Sequence, residues 1–141
     1  MVRDLGLSNS VEFLGPVFGE TRDAAYRNAD AFVLPSFSEG QPLTVLEAWA
    51  HALPVLMTPA CNLSDGFAAE AAIRIEPTDE SVRTGLEQLM QMDRPALEKM
   101  GKAGRELVER DYTWPRIASQ MHEVYRWILG TGPRPQCVIN R

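Results

Sequence analysis

Short apolar runs alternate with longer amphipathic stretches along most of the chain. The runs are rich in Val, Leu and Ile, which is typical of buried strands, and apolar residues recur at helical spacing between them. This alternation predicts an α/β fold, a Rossmann-like parallel sheet with flanking helices. The predicted strands are Val11–Leu14, Ala31–Leu34, Val55–Met57 and Ala72–Ile75, and the predicted helices lie near 20–28, 43–51, 79–91, 95–110 and 114–129.

Capping residues indicate where three of these helices begin. Asp79 is placed to cap the helix after the fourth run, Pro95 opens the next helix, and Thr113 precedes the last. Apolar side chains recur at helical spacing along the last helix, so we predict that they pack in the core. This stripe consists of Trp114, Ile117, Met121, Val124 and Ile128, and we also expect Trp49 to pack beneath helix 43–51 and Trp127 on an adjoining domain.

The segment from Pro35 to Thr58 combines a strand end, a polar loop and a helix start. Pro35 ends an apolar run, and Pro42 occupies the first position of the predicted helix. At such a junction an open α/β sheet presents backbone N–H groups and the positive end of a helix dipole, which favour a phosphate. The loop and the helix each carry one glutamate, Glu39 and Glu47, eight positions apart.

Carboxylates beside a phosphate site are unfavourable unless they have hydroxyl partners, and sugars supply hydroxyl groups. An ionised Glu47 can accept hydrogen bonds from both ribose hydroxyls of a nucleotide, whereas Glu39, nearer the loop tip, would face a second sugar. Gly40 lacks a Cβ, so the backbone there can approach a ligand closely. Taken alone, the two glutamates favour a simpler interpretation, a solvated loop residue and an exposed helix residue, because exposed glutamate is common.

Composition and charge are those of an ordinary globular chain. Its 141 residues are 45% hydrophobic and 23% charged, which suits one domain with one core. A net charge of −5 and a pI near 5.0 argue against nucleic acid as a partner. No apolar stretch approaches the roughly 20 residues of a membrane span, and the N-terminus lacks the apolar core of a signal peptide, so we expect a cytoplasmic protein.

The cysteines and histidines give no support for a metal site. Cys61 and Cys137 occur far apart in unlike settings, and we interpret both as free thiols. His51 and His122 have no ligand spacing with them and are interpreted as helix-surface residues. The chain also contains no Asp-x-Asp pair suited to Mg²⁺. We therefore expect neither a metal nor a cofactor.

The residues around the two glutamates resemble a known family. The stretch PSFSEGQPLTVLEAWAHALPV closely resembles the E-x7-E motif of group 1 glycosyltransferases, which are retaining enzymes of the GT-B fold. Upstream, VEFLGPV and YRNADAFVLPS resemble two strands of that family's C-terminal domain. Downstream, LPVLMTP, AAIRIEPTDE and MGKAGRELVERDYTW follow in the family's order, so the resemblance covers about residues 9–129.

The resemblance implies a donor site for a nucleotide diphosphate sugar. Glu39 would be the catalytic carboxylate near the transferred sugar, Glu47 would lie near the ribose, and the backbone between them would lie near the diphosphate. The implied reaction transfers the sugar to a hydroxyl acceptor with retention and without an obligatory metal. The residues that would bind the donor are Gly40, Gln41, Leu43, Thr44 and Glu47.

Two positions depart from the family's pattern. Many relatives carry Gly where this chain has Pro42, and because proline lacks an N–H it cannot donate to the diphosphate. Leu53 replaces another usual Gly, which weakens the helix end without touching the site.

The resemblance also implies that part of the family's domain is missing. That sheet has the strand order 3-2-1-4-5-6, and the four predicted strands resemble the third to the sixth. The first two strands, with the Arg and Lys that neutralise the diphosphate, have no counterpart here. We therefore expect Val11–Leu14 to pair directly beside Ala31–Leu34, or the chain to dimerise through exposed edges.

Residues 1–129 are thus interpreted as a partial C-terminal, nucleotide-sugar-binding domain, and residues 130–141, rich in Gly and Pro, as a mobile tail. The missing N-terminal domain or a partner chain would complete the enzyme, so we expect the chain alone to be inactive. Peripheral membrane association of the parent enzyme stays open. Two other functions also stay open: a non-catalytic remnant that serves as an interaction module, and a protein similar to nucleotide-sugar epimerases.

Overall fold

A computed structural model describes residues 1–139 of the chain. The last two positions of the predicted tail at 130–141 lie outside the described residues, and its mobility stays a prediction. The elements in chain order are α1 Gly19–Arg27, β1 Phe32–Leu34, α2 Leu43–Ala50, β2 Val55–Met57, α3 Ser64–Ala68, β3 Ala72–Arg74, α4 Asp79–Gln91, α5 Arg94–Asp111 and α6 Trp114–Ile128, with a 3-10 turn at Pro59–Cys61 between β2 and α3.

The sheet of the described residues has three parallel strands in the order β1-β2-β3. Phe32 of β1 aligns with Val55 of β2, and Met57 of β2 aligns with Arg74 of β3. All of β2 is buried because it lies between the other two strands and beneath helices. The predicted α/β class is confirmed, and the second, third and fourth predicted strands are found to within one residue.

The first predicted strand is wrong. Val11–Leu14 lie among the described residues and form no strand, and Phe13 is 82% exposed. An apolar run becomes a strand only when a neighbouring strand supplies the hydrogen bonds of a ladder. Within residues 1–139 the outer edge of β1 carries no strand, so the expected direct pairing with Ala31–Leu34 is wrong, and dimerisation through open edges stays a prediction.

The core lies between the sheet and the packed pair α2 and α5. Trp49 and Leu107 are almost completely buried there, and the Trp49 indole N–H donates a 3.0 Å hydrogen bond to the Ala71 carbonyl. The predicted packing of Trp49 beneath the helix of the motif is confirmed. Gly104 of α5 lies against the indole ring so closely that a Cβ would overlap it. Glycine at this position therefore lets α5 approach α2 and fixes the position of the helix that carries Glu47.

Two helix starts differ from the prediction. The helix α5 begins at Arg94 with Asp93 as its N-cap, so Pro95 is its second residue and does not open it. Thr78 caps α4, and its hydroxyl accepts a hydrogen bond from the Ser81 N–H at 3.3 Å. The predicted Asp79 cap is wrong, because Asp79 is already the first helical residue and an N-cap needs non-helical backbone. Its carboxylate instead favours the helix through the dipole from the first turn. Thr113 is the N-cap residue of α6, as predicted.

The apolar stripe of α6 is not core, contrary to the prediction. Trp114 is 83% exposed and Ile128 67% exposed, while Ile117 and Val124 are half-buried. Helical spacing indicates an apolar face but carries no information about what covers it. Every residue of α6 is described, and none of them is buried. The expected packing of Trp127 on an adjoining domain stays a prediction.

Candidate functional site

The loop with the first glutamate lies at the carboxyl ends of the sheet strands. This loop, residues 35–42, leaves the carboxyl end of β1 and enters α2, and we call it the β1–α2 loop. The 3-10 turn leaves the carboxyl end of β2, the neighbouring parallel strand. Because neighbouring parallel strands have their carboxyl ends on the same side, the two connections lie next to each other. Open α/β sheets bind their ligands outside the carboxyl ends of the strands.

Glu39 is half-buried in this loop, and both its side chain and its backbone have partners. The Ser36 hydroxyl donates a 2.7 Å hydrogen bond to Glu39 Oε1, and the Glu39 N–H donates to the Ala60 carbonyl at 3.0 Å. An ionised carboxylate has about four acceptor positions, so most of them stay available. Glu39 is therefore oriented and still able to accept further hydrogen bonds.

The turn after β2 holds the β1–α2 loop through side-chain donors. The Thr58 hydroxyl donates to the Ser36 carbonyl at 2.6 Å. The Asn62 amide donates to the carbonyls of Glu39 and Gly40 at 2.6 and 3.2 Å. The motif in the sequence gives no sign of these two residues, although an asparagine after a short turn is a common way to satisfy nearby backbone groups.

The helix of the motif, α2, begins at Leu43, as predicted, but the buried Pro42 precedes it as the N-cap and is not its first residue. The Val45 N–H donates to the Pro42 carbonyl at 3.1 Å. Gln41, Leu43 and Thr44 are exposed and lie just before or within the first turn, where N–H groups have no partner inside the helix. These exposed residues lie between the two glutamates in the chain.

Glu47 lies on the side of α2 that faces α1. The Arg22 guanidinium pairs with Glu47 Oε1 at 2.8 Å, and the Tyr26 hydroxyl donates to Oε2 at 3.1 Å. The Glu47 side chain is 29% exposed, so solvent still reaches the carboxylate. The local sequence pattern points to Glu47 but gives no sign of Arg22 or Tyr26, because partners on another helix leave no mark near the motif.

The surroundings of Tyr26 favour its neutral hydroxyl. Burial raises the pKa of Tyr26 to about 12, and the hydrogen bond to Glu47 and the charge of that carboxylate act in the same direction. The positive charge of Arg22 lowers the pKa and partly opposes these effects. The hydroxyl therefore keeps its proton near neutral pH and remains a donor to Glu47.

His51 joins the end of α2 to α1. Its Nδ1 lies 2.8 Å from the Glu47 carbonyl, its Nε2 lies 2.6 Å from Asp23 Oδ1, and its ring stacks on Tyr26 with 5.1 Å between centroids. Both neighbours are acceptors, so the ring satisfies them together when both nitrogens carry hydrogen. His51 thus fixes α1 beside Glu47, whereas His122 lies exposed on α6.

Other candidate chemistry is sparse in the described part of the chain. Cys61 is buried and Cys137 is exposed, and both are free thiols, as predicted. Within residues 1–139, no three His, Cys, Asp or Glu side chains lie close enough together to bind a metal ion. None of the helices described is long and apolar enough to cross a membrane.

Comparison with known sequences finds glycosyltransferases. The family model described as "Glycosyl transferases group 1" matches residues 1–92. The D-inositol 3-phosphate glycosyltransferase of Corynebacterium kroppenstedtii is 29% identical over 145 residues, which cover 100% of this chain and 31% of that protein. A sulfoquinovosyl transferase of Arabidopsis thaliana is 36% identical over 124 residues, which cover 82% of this chain and 24% of that protein. The chain therefore spans less than a third of these relatives.

Solved structures share the fold. A sucrose-phosphate synthase from Thermosynechococcus elongatus matches with a TM-score of 0.81 and 27% identity, over 93% of this chain and 33% of that one. The C-terminal domain of a group 1 family glycosyl transferase from Francisella tularensis matches with a TM-score of 0.70 and 27% identity, over 80% of this chain and 59% of that one. The predicted GT-B architecture is confirmed.

Proposed function

The chain belongs to the family of group 1 glycosyltransferases, and on this premise we propose that it is the donor-binding half of such an enzyme. It binds a nucleotide diphosphate sugar, and together with an acceptor-binding half it transfers the sugar to a hydroxyl group. The observation that supports this best is the placement of Glu39 and Glu47 on either side of the exposed residues at the start of α2. Because 141 residues match about a third of a relative, we expect transfer from a protein of the relatives' length and not from these residues alone.

In this proposal Glu47 anchors the ribose of the nucleotide. Arg22 and Tyr26 each bind one carboxylate oxygen and so hold the group in place. A carboxylate has about four acceptor positions, which leaves room for both ribose hydroxyls. Arg22 is half-exposed, and because its charge is paired with that of Glu47 it orients the carboxylate without adding net charge to the site.

The diphosphate binds at the start of α2. Gln41, Leu43 and Thr44 are exposed residues whose N–H groups can donate to the ligand, and the positive end of the helix dipole adds to their attraction. Pro42 has no N–H and is buried, so it shapes the turn without donating. Gly40 has open space where a Cβ would be, so the ligand can approach the backbone closely.

Glu39 faces the transferred sugar. Its available oxygens accept hydrogen bonds from sugar hydroxyls and counter the positive charge that develops at the anomeric carbon. The bond from that carbon to the diphosphate oxygen breaks, and a bond from the carbon to the acceptor oxygen forms with retention of configuration at the carbon. The proton of the acceptor hydroxyl passes to the departing diphosphate. The helix dipole of α2 and the N–H groups of its first turn stabilise the departing diphosphate, so the reaction needs no metal.

Titration calorimetry with nucleoside diphosphates and their nucleosides tests this proposal. On the purified chain, the affinity for UDP is compared with that for uridine, the affinity for GDP with that for guanosine, and the affinity for ADP with that for adenosine. We expect one diphosphate to bind, more tightly than its nucleoside and less tightly as salt is added, because contacts to phosphate are electrostatic. Absence of binding by all three diphosphates at millimolar concentration would contradict the proposal.

A further inference from the structure

Asn62 occupies an unusual place beside the site. It follows the 3-10 turn with left-handed backbone angles, φ 54° and ψ 30°, which asparagine tolerates better than most residues. Its amide nitrogen lies 2.6 Å from the Glu39 carbonyl oxygen and 3.2 Å from the Gly40 carbonyl oxygen. One side chain from the β2 connection thus holds two consecutive peptide groups of the β1–α2 loop.

Holding these carbonyls also fixes the direction of two N–H groups. In a trans peptide the C=O and the N–H of the same unit point in opposite directions. The carbonyls of Glu39 and Gly40 face Asn62, so the N–H groups of Gly40 and Gln41 point away from it. Among the described residues, neither of these N–H groups donates to a backbone carbonyl, and both residues are exposed.

We propose that Asn62 is a positioning residue for the donor's diphosphate. By holding the two carbonyls it directs the N–H groups of Gly40 and Gln41 toward the anion that binds at the start of α2. This inference rests on the proposed function of the site. An amide suits this position because its NH2 group has two hydrogens and can donate to both carbonyls. The carboxylate oxygens of an aspartate are acceptors and would repel the carbonyl oxygens.

The loop also has anchors that do not depend on Asn62. Thr58 binds the Ser36 carbonyl, and Ala60 binds the Glu39 N–H. Replacing Asn62 should therefore leave the loop in place and release only the orientation of the two peptide groups. We therefore expect weaker binding of a nucleoside diphosphate and unchanged binding of its nucleoside.

The test compares Asn62→Gly and Asn62→Asp with the wild-type chain. Glycine keeps the left-handed backbone without strain and removes the amide without adding charge. Aspartate has nearly the same shape as asparagine but replaces the amide donor with a carboxylate acceptor. The matched control is Asn28→Gly, because the Asn28 amide donates a 2.8 Å hydrogen bond to the Ala24 carbonyl within α1.

The measured quantity is the ratio of the affinities for a nucleoside diphosphate and for its nucleoside, by calorimetry. This ratio does not depend on the folded fraction, so a loss of stability does not alter it. Loss of about one charge-assisted hydrogen bond predicts a fall of the ratio by roughly 10- to 150-fold in both Asn62 variants, with no change in Asn28→Gly.

Each result has one meaning. An unchanged ratio in Asn62→Gly, or equal weakening of both ligands, would overturn the positioning role while leaving the proposed function in place. If the wild-type chain binds no nucleoside diphosphate, the proposed function fails, and the role of Asn62 fails with it.

Discussion

Gly101 of α5 gives the sharpest test of how the helix of the site is held. It faces the turn between α2 and β2, where a Cβ would overlap the Ala52 carbonyl oxygen and lie 2.7 Å from its carbon. Ala52 has left-handed angles, and its N–H donates a 2.8 Å hydrogen bond to the Trp49 carbonyl. The obstacle is therefore backbone that cannot rotate away, unlike a flexible side chain.

Two effects of opposite sign decide the outcome of Gly101→Ala. Alanine in place of glycine inside a helix normally stabilises it by about 1 kcal/mol. Overpacking a tight core costs about 1 to 3 kcal/mol, and contact with rigid backbone favours the upper end. We therefore expect a net loss of about 1 to 2 kcal/mol, which would lower the Tm by roughly 3 to 10 °C for a chain of this size.

Urea unfolding followed by far-UV circular dichroism measures this loss. The control is Gly40→Ala, because a Cβ at Gly40 has no neighbour within 4 Å, so its free energy of unfolding should change by less than about 0.5 kcal/mol. If Gly101→Ala is as stable as the wild type or more stable, helix propensity has outweighed the clash and the described packing of α5 on this turn is wrong.

Two further predictions concern Tyr26. Tyr26→Phe removes the hydrogen bond to Glu47 and should lower the free energy of unfolding by about 1 kcal/mol, whereas Tyr125→Phe, on an exposed side chain, should leave it unchanged in the same urea assay. Because burial raises the pKa of Tyr26 from 10.0 to about 12, the unfolded chain loses this proton first. Stability should therefore fall as pH rises from 10 to 12, and a fall of equal steepness in Tyr26→Phe would refute that assignment.

The strands were predicted correctly where an apolar run pairs with another strand of the same chain. Val55–Met57 is found as predicted because strands on both sides complete its hydrogen bonds. Val11–Leu14 has a similar apolar character but no neighbouring strand, and the apolar face of α6 is only partly covered within residues 1–139. Apolar periodicity indicates which face prefers burial, but the partner depends on contacts distant in sequence. The short helix α3 was not predicted because five residues are too few for a period.

The candidate site was predictable only in part, for the same reason. Glu39 and Glu47 follow from the motif, and their roles stay predictions. Arg22, Tyr26 and Asn62 belong to other segments and approach the glutamates only in the folded chain. A local pattern shows which residues carry the chemistry, whereas the residues that orient them become visible through the packing.

The central claim, that Glu47 anchors a nucleotide, is tested most directly by titrating Glu47→Ala with the nucleoside diphosphate that binds the wild type. The control is Glu87→Ala, which also removes one glutamate paired with an arginine on a helix, since Arg83 donates to Glu87 at 2.9 Å. Loss of hydrogen bonds to a charged group costs about 1.5 to 3 kcal/mol, so affinity should fall roughly 10- to 150-fold in Glu47→Ala and stay unchanged in Glu87→Ala. Wild-type affinity in a folded Glu47→Ala chain would contradict the account.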